Sequence, residues 1–241
     1  MAAVKPKVEL LNYSGEPEKI VALAAKLCYS NSSIGGLSEN ISKKSQAEFI
    51  EKLLSFGHTS PIEHISFTFG TEGVSRALLA QITRHRIASF SVQSQRYVSS
   101  EGFNYIIPRG IESLGREAVD KFVAQMDTIQ GFYNEWQSLL DEAKGKGEAS
   151  NEDARFVLPN AAETKFVLTL NARSLLNFFE LRCCFRAQWE IREVAYLMLK
   201  HVKAVAPTIF KNAGPSCFSA SCKEGKMSCG RVSEVKKLLS K

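Results

Sequence analysis

The sequence predicts a mixed α/β fold of the α+β class, with a central sheet flanked by helices. Two segments alternate apolar and polar residues as strands do, HISFTF at 64–69 and AAETKFVLTLN at 161–171. Helical patterns separate or follow them, at 112–143, 173–183 and 188–205. The last residues differ in composition and predict a loose C-terminal tail.

The N-terminal part predicts one strand and two helices. VELLNYSG is typical of a short strand, and the helix that follows has Pro17 in its first turn. In SQAEFIEKLLSFG we expect Ser45 as the N-cap, Glu48 as its capping-box partner and Gly57 at the end of the helix.

Two polar blocks predict turns or loops. GHTSPIEH predicts a turn around Pro61, and His64 is expected to be a buried core histidine. GKGEASNED predicts a loop that leads to a helix N-cap near Asn151, which places Arg155 where that helix opens.

Composition narrows the class of protein. The chain has 241 residues, of which 44% are hydrophobic and 23% charged, as in an ordinary globular protein. No apolar run is long enough to span a membrane, and the N-terminus lacks a signal-peptide core. Six cysteines without a secretory context predict reduced thiols and a cytoplasmic location.

The charge distribution argues against a nucleic-acid partner. The net charge is +6, but residues 217–241 hold six Lys or Arg and two Glu, so four of the excess charges lie there. The rest of the chain is only slightly basic, which suits local binding of small anions. We expect a catalytic domain at 1–211 and a Cys- and Lys-rich tail at 212–241.

The tail cysteines do not by themselves form a metal site. Cys217, Cys222 and Cys229 include no CxxC pair, and a tetrahedral site would need a fourth ligand from elsewhere in the chain. We therefore expect unliganded thiols and no metal.

The segment RHRIASFSVQSQRY, residues 84–97, is the candidate active site. Arginine presents a planar fork of donors that matches phosphate or carboxylate. One alternative is that Arg84, His85 and Arg86 only complement the end of a helix. The alternation that follows instead indicates an extended segment in which Ser94 and Arg96 share a face.

A second polar group lies on the predicted helix at 173–183 and the residues just before it, in NARSLLNFFELR. Arg173 and Asn177 are four residues apart and share one face, whereas Arg182 lies on the opposite side. The alternative is an amphipathic helix with solvated arginines. Because no GxGxxG or GxxxxGK[ST] motif is present, any nucleotide must be held by side chains and local backbone.

Four blocks together resemble the flavin-dependent thymidylate synthases. They are GHxSPxEH at 57–64, RHR with a serine eight residues later at 84–94, EDARxxLP at 152–159, and NARSLxNFxxLR with AQWEIR at 171–192. The resemblance spans roughly residues 20–211. It implies reductive methylation of dUMP to dTMP with 5,10-methylenetetrahydrofolate as carbon donor, reduced FAD as hydride source and NADPH as reductant.

The resemblance also implies the site residues. Those for dUMP are Gln81, Arg84, Val92, Gln93, Ser94, Gln95, Arg96, Arg155 and Arg182. Those for FAD are His58, Ser60, Arg84, His85, Arg86, Asn171, Arg173 and Asn177. Arg182 is the catalytic residue, because it stabilises negative charge on the uracil, and no cysteine nucleophile is required.

Two positions depart from the family pattern. Val92 stands where many members carry Glu or Gln, so the side-chain contact expected from this position passes to Gln93 or to a backbone N–H. Arg186 stands where some members have His. The resemblance further implies a homotetramer whose flavin sites are shared between subunits. The competing hypotheses are a non-catalytic nucleic-acid-binding protein and a thiol or zinc redox protein centred on the tail.

Overall fold

The structure is a computed structural model that describes residues 1–43 and 45–239. The strands are β1 (Lys7–Tyr13), β2 (Ser66–Ser75), β3 (Ser89–Val92) and β4 (Glu163–Asn171). The helices are α1 (Pro17–Leu27), α2 (Ile34–Ser42), α3 (Ala47–Ser55), α4 (Arg76–Ile82), α5 (Arg109–Glu112), α6 (Arg116–Lys144), α7 (Glu148–Ala154), α8 (Ala172–Arg182), α9 (Trp189–Val205), α10 (Ser216–Ser219) and α11 (Val232–Leu239).

The four strands form one sheet in the order β1-β2-β4-β3. After β1, the N–H of Ser14 donates to the carbonyl of Ser66 at the start of β2 (3.0 Å). After β3, the N–H of Gln93 donates to the carbonyl of Lys165 near the start of β4 (3.0 Å). Both pairs are therefore antiparallel, and the predicted mixed fold class is confirmed.

The chain divides into two compact units. The first unit contains residues 1–7, 71–84 and 90–167, and the second contains 8–70, 85–89 and the residues from 168 onward. In the first unit, Phe103, Tyr105, Met126 and Ala162 form a buried cluster.

The core of the second unit is aromatic. The ring of Phe210 stands edge-on to those of Phe67 and Phe179, with centroids 5.4 and 6.0 Å away, and Phe178 packs against Phe179 at 5.8 Å. Edge-to-face packing of this kind adds to the free energy of burial.

Helices α2 and α3 differ from the prediction. The sequence analysis assigned no helix to 34–42, yet Leu37 and Ile41 of α2 pack with Ala22 of α1. The N-cap of α3 is Gln46 rather than Ser45. The side-chain amide of Gln46 is fixed by a hydrogen bond, because its Nε2 donates to the carbonyl of Ile41 at 3.0 Å.

The predicted loop before Asn151 covers only residues 145–147, and the prediction of an N-cap at Asn151 is wrong, because Gly147 takes that position. Asn151 is buried inside α7, where its amide donates to the carbonyl of Arg96 (3.0 Å) and accepts from Gln137 (2.8 Å). Arg155 accordingly follows the end of α7 and begins a short 3-10 helix, Arg155–Val157.

The prediction for His64 is also wrong. It ends a short 3-10 helix, Ser60–His64, with its side chain exposed, because the adjacent Ile62 and Ile65 occupy the core positions.

The C-terminal segment is folded rather than loose. Val235 of α11 is 1% exposed and Cys217 of α10 is 6% exposed. Lys203 of α9 donates to the carbonyl of Leu239 at 3.2 Å. These buried side chains fix a segment whose polar composition had indicated mobility. The predicted division into a catalytic domain at 1–211 and a tail at 212–241 stays a prediction. Among the described residues, no helix is both long and apolar enough to cross a membrane.

Candidate active site

The RHR segment lies in the connection between α4 and β3. Helix α4 begins after Ser75, whose hydroxyl accepts from the N–H of Leu78 (3.0 Å). It ends at Ile82, and its last turn holds no basic residue. Arg84 and Arg86 are exposed and belong to the connection, not to the helix.

Arg182, at the end of α8, is held by a neutral histidine. Its Nε donates to Nε2 of His85 at 3.0 Å, and the imidazole stands edge-on to Phe178 with ring centroids 5.0 Å apart. Burial, and next the charge of Arg182, lower the pKa of His85 from 6.5 to about 4. The imidazole is therefore neutral at pH 7, with its second nitrogen carrying the proton.

Ser94 and Arg96 lie in a turn instead of an extended strand. Strand β3 ends at Val92, and the hydroxyl of Ser94 accepts from the backbone N–H of Arg96 (3.1 Å) and of Tyr97 (3.4 Å). The expectation of a shared strand face is wrong because Ser94 uses its hydroxyl to close this turn.

The guanidinium of Arg96 is bound by two carboxylates. Its Nε donates to Glu152 at 3.1 Å, and a terminal nitrogen pairs with Glu148. Both acids come from α7, and the buried Asn151 between them holds the backbone of Arg96. Helix α7 thus orients the arginine and partly cancels its charge.

Arg76 is a candidate that sequence reasoning missed. It begins α4 and lies close to Arg155, so that burial, followed by the charge of Arg155, lowers the pKa of Arg76. Arg155 Nε donates to the carbonyl of Glu152 (3.0 Å). Like charges that interact in this way repel each other, and a bound anion would offset the repulsion. The only sequence signal was an arginine inside an apolar helical pattern.

Several residues assigned to the flavin are exposed around α8. Asn171 is the N-cap of α8 and accepts from the N–H of Ser174 (2.8 Å), which fixes the start of this helix. One turn apart on its exposed face are Arg173, which pairs with Glu63, and Asn177.

The other two flavin-assigned residues precede β2. His58 and Ser60 are exposed, and His58 stands edge-on to Phe56 with centroids 6.3 Å apart. Both lie in the second unit, as α8 does.

Comparisons with known proteins identify the family. The model for the family described as thymidylate synthase complementing protein matches residues 9–208. The flavin-dependent thymidylate synthase of Clostridium tetani is 50% identical over 240 residues, or 96% of each chain. That of Geobacter sulfurreducens is 49% identical over 96% of this chain and 97% of its own, and that of Pyrococcus furiosus 39% identical over 88% and 86%. This chain belongs to the flavin-dependent thymidylate synthase family.

The residues predicted to bind dUMP and those predicted to bind FAD divide between the two units. All residues assigned to dUMP except Arg182 lie in the first unit, and all those assigned to FAD except Arg84 lie in the second. In the second unit the donor set suits a flavin dinucleotide. Exposed arginines match pyrophosphate oxygens, and amide and hydroxyl groups match the polar edges of flavin and adenine.

Proposed function

We propose that this enzyme converts dUMP, 5,10-methylenetetrahydrofolate and NADPH, with one proton, into dTMP, tetrahydrofolate and NADP+, with FAD as cofactor. The observation that carries the proposal is the contact between Arg182 and the neutral His85, in a chain of this family. It supplies a cation whose position is fixed by a partner without charge.

The first unit supplies the groups for the nucleotide. We assign the phosphate to Ser94 and Arg96 with the backbone and side chains of 92–95, and further nucleotide contacts to Gln81, Arg84 and Arg155. The turn that Ser94 closes sets a hydroxyl and a guanidinium two residues apart, and both groups bind phosphate oxygens. Arg76, which interacts electrostatically with Arg155, adds a second cation to this group.

Arg182 activates the base. Its guanidinium stabilises negative charge on uracil N3 and on the neighbouring carbonyl oxygen, and this raises the nucleophilicity of C5. His85 acts as a positioning residue, because it receives the Nε–H and so fixes the plane of the guanidinium.

A cysteine nucleophile is not used in this mechanism. Cys183 follows Arg182 directly, but burial raises the pKa of its thiol. A buried, protonated thiol is a poor nucleophile.

His58, Ser60, Arg84, His85, Arg86, Asn171, Arg173 and Asn177 would hold FAD. When bound, the reduced flavin supplies the hydride, and NADPH restores the reduced form. The exposed Arg173 and Asn177 orient the cofactor from α8, and Arg84 and Arg86 offer charge to its phosphates.

We further propose a homotetramer in the cytoplasm, with flavin sites shared between subunits and no nucleic-acid partner. The six free cysteines support a reducing compartment. Exposed aromatic side chains on α6, Phe132 and Trp136, supply apolar surface for an interface.

Product analysis tests the function. FAD-loaded protein is incubated with dUMP, methylenetetrahydrofolate and NADPH, and dTMP is quantified by chromatography. We expect dTMP only when every component is present. Arg182→Ala should abolish it, whereas Arg116→Ala, at an exposed position on α6, should leave it unchanged.

The absence of dTMP from flavin-loaded, folded wild-type protein would contradict the proposal. Colourless protein that binds DNA or RNA with a steep salt dependence would replace it with the nucleic-acid hypothesis.

A further inference from the structure

One face of α6 holds the chain that follows Arg96. Gln130 and Tyr133 are three residues apart on this helix and therefore project from the same side. The N–H of Ser100 donates to the hydroxyl of Tyr133 at 2.9 Å, and the N–H of Phe103 donates to Oε1 of Gln130 at 3.0 Å. Side chains of α6 thus fix the backbone just beyond the turn that contains Arg96.

Gln137 extends this face and joins α6 to α7. It lies one turn beyond Tyr133, and each hydrogen of its amide nitrogen has an acceptor. Nε2 lies 2.8 Å from Oδ1 of Asn151 and 3.0 Å from Oγ of Ser99. Asn151, in α7, is 3% exposed and donates from Nδ2 to the carbonyl of Arg96 at 3.0 Å. A chain of hydrogen bonds therefore runs from α6 through α7 to the peptide of Arg96.

The direction of this hydrogen-bond chain is fixed by its last member. A backbone carbonyl only accepts, so Asn151 must turn its NH2 group toward Arg96 and its oxygen toward Gln137. Gln137 must then present its own NH2 group to Asn151, as the structure shows. A carboxylate at position 137 or 151 cannot donate, so it breaks the chain while it keeps the size of the side chain.

The chain ends on the residue that we assign to the phosphate of dUMP. The N–H of Arg96 donates to the hydroxyl of Ser94 at 3.1 Å, and its carbonyl accepts from Asn151. Its side chain pairs with Glu148 and Glu152, which flank Asn151 in the sequence of α7. Backbone and guanidinium of Arg96 are thus both oriented by one short helix. A change at Asn151 therefore alters the angle at which this arginine meets an anion.

We propose that Gln137 and Asn151 are positioning residues for the nucleotide phosphate, because their linked amides set the orientation of Arg96. The inference rests on the proposed function, since it takes Arg96 to bind the phosphate of dUMP. Both amides act through the peptide of Arg96 rather than on the anion itself. A buried network of this kind holds one conformation because an unpaired member is costly. Its loss should weaken the grip on the phosphate and spare the contacts to the base.

Gln130 provides the matched control. It lies two turns before Gln137 on α6, is 8% exposed, and its Nε2 donates to Oδ1 of Asn134 at 2.7 Å. Its backbone contact is Phe103 rather than Arg96. Gln130→Glu therefore removes the same kind of donor from the same face of α6 and leaves the chain to Arg96 intact. Because Gln130 is the more buried of the two glutamines, this variant should lose at least as much stability as Gln137→Glu.

Binding of dUMP and of deoxyuridine, which lacks the phosphate, tests the proposal on FAD-loaded full-length protein. We expect Gln137→Glu and Asn151→Asp each to weaken dUMP about tenfold in calorimetric titrations, the effect of losing one buried hydrogen bond. Deoxyuridine should bind these variants as it binds the wild type, and the KM for dUMP should change more than kcat. Gln130→Glu should leave both affinities unchanged, although thermal unfolding shows its lower stability.

Two results would overturn it. If variants of Gln137 and Asn151 weaken dUMP and deoxyuridine equally, or weaken dUMP no more than Gln130→Glu does, the two amides have a structural role only. If the charged variants unfold, Gln137→Ala and Gln130→Ala make the same comparison, because they remove the donor without burying a charge. Wild-type protein that binds dUMP no more tightly than deoxyuridine would contradict the proposed function itself, and with it this inference.

Discussion

Arg182 has an uncharged partner at its Nε, the imidazole of His85. Arg96 and Arg173 pair with carboxylates, which cancel much of their charge. The Nε of Arg182 is held instead by an imidazole that carries no charge at pH 7. His85 therefore orients the guanidinium without adding a charge of its own, and electrostatic catalysis depends on such a preplaced cation.

Replacing Arg182 by lysine should therefore be severe. Lysine keeps the charge but loses both the Nε–H that His85 accepts and the planar fork that spans two adjacent uracil atoms. We expect a fall in kcat on the order of 100-fold, with little change in the KM for dUMP. Steady-state kinetics of flavin-matched samples measure both constants.

Variants of His85 test whether this residue positions Arg182. His85→Gln preserves an acceptor for the Arg182 Nε–H and should retain more activity than His85→Ala. If Arg182→Lys turned over dUMP at the wild-type rate, Arg182 would not be the activating residue.

The depressed pKa of His85 predicts a pH-dependent stability. Between about pH 4 and 6.5 the unfolded chain binds a proton at this histidine and the folded chain does not. The free energy of unfolding should therefore rise with pH across this window and level off above it.

Thermal unfolding at several pH values measures the effect. His85→Gln should flatten the slope, since glutamine does not titrate, whereas substitution of the exposed His64 by glutamine should leave it intact. Equal slopes for the wild type and His85→Gln would show that His85 does not set this dependence.

At the scale of elements, long periodic segments were predicted and short polar ones were not. The patterns for β4, α6, α8 and α9 placed these elements to within a few residues, because burial repeats along them. The strand predicted at 64–69 was located as β2, which continues to Ser75. Helix α2 contains Gly35 and Gly36, which weaken any local preference, and it exists through the packing of Leu37 and Ile41. Helix α7 has no apolar stripe, and its hydrogen bonds through Asn151 join residues distant in sequence.

The candidate site was predictable in its residue types and less so in its contacts. Arg84, His85 and Arg182 could be named from motifs, but the bond from Arg182 to His85 joins two separate motifs. Arg76 escaped notice because its neighbour, Arg155, lies in another block. Such pairings depend on tertiary structure, which periodicity does not encode.

Strand β2 contains a backbone position that only glycine tolerates. Gly73 has a φ of +67°, and an added Cβ would lie 2.0 Å from the carbonyl oxygen of Lys5. Gly73→Ala should lower the free energy of unfolding by roughly 2–4 kcal/mol, from the strained backbone and the displaced strand.

Gly102→Ala provides the matched control in the same unit. Its φ is +70°, but no heavy atom lies within 4 Å of the added Cβ. It should lose only about 1 kcal/mol from the backbone strain. Denaturant unfolding compares the two variants, and equal losses would mean that the contact with Lys5 relaxes freely.

At the scale of the whole molecule, the C-terminal segment shows that composition alone does not predict whether a segment is folded. Its Gly, Ser and Lys content predicted a loose segment, yet α10 and α11 bury Cys217 and Val235. A few apolar side chains at the right positions outweigh an otherwise polar composition, because each buried side chain contributes on the order of 1 kcal/mol or more.

Assembly supplies the last prediction. Arg155 and Arg182 belong to different units of the chain, and the proposed tetramer would allow one active site to draw them from different subunits. The variants Arg155→Ala and Arg182→Ala should each be inactive alone. When they are mixed, unfolded and refolded together, random assortment should restore about one site in four, since each such site combines the intact residue of both variants.

The mixture is assayed for dTMP, with each variant refolded alone as the control and light scattering to follow the tetramer. Refolding exchanges subunits, so the gain should appear only in the co-refolded sample. A mixture that forms tetramers without regaining activity would place Arg155 and Arg182 of one site on the same chain. A fully active, flavin-saturated monomer would exclude shared sites altogether.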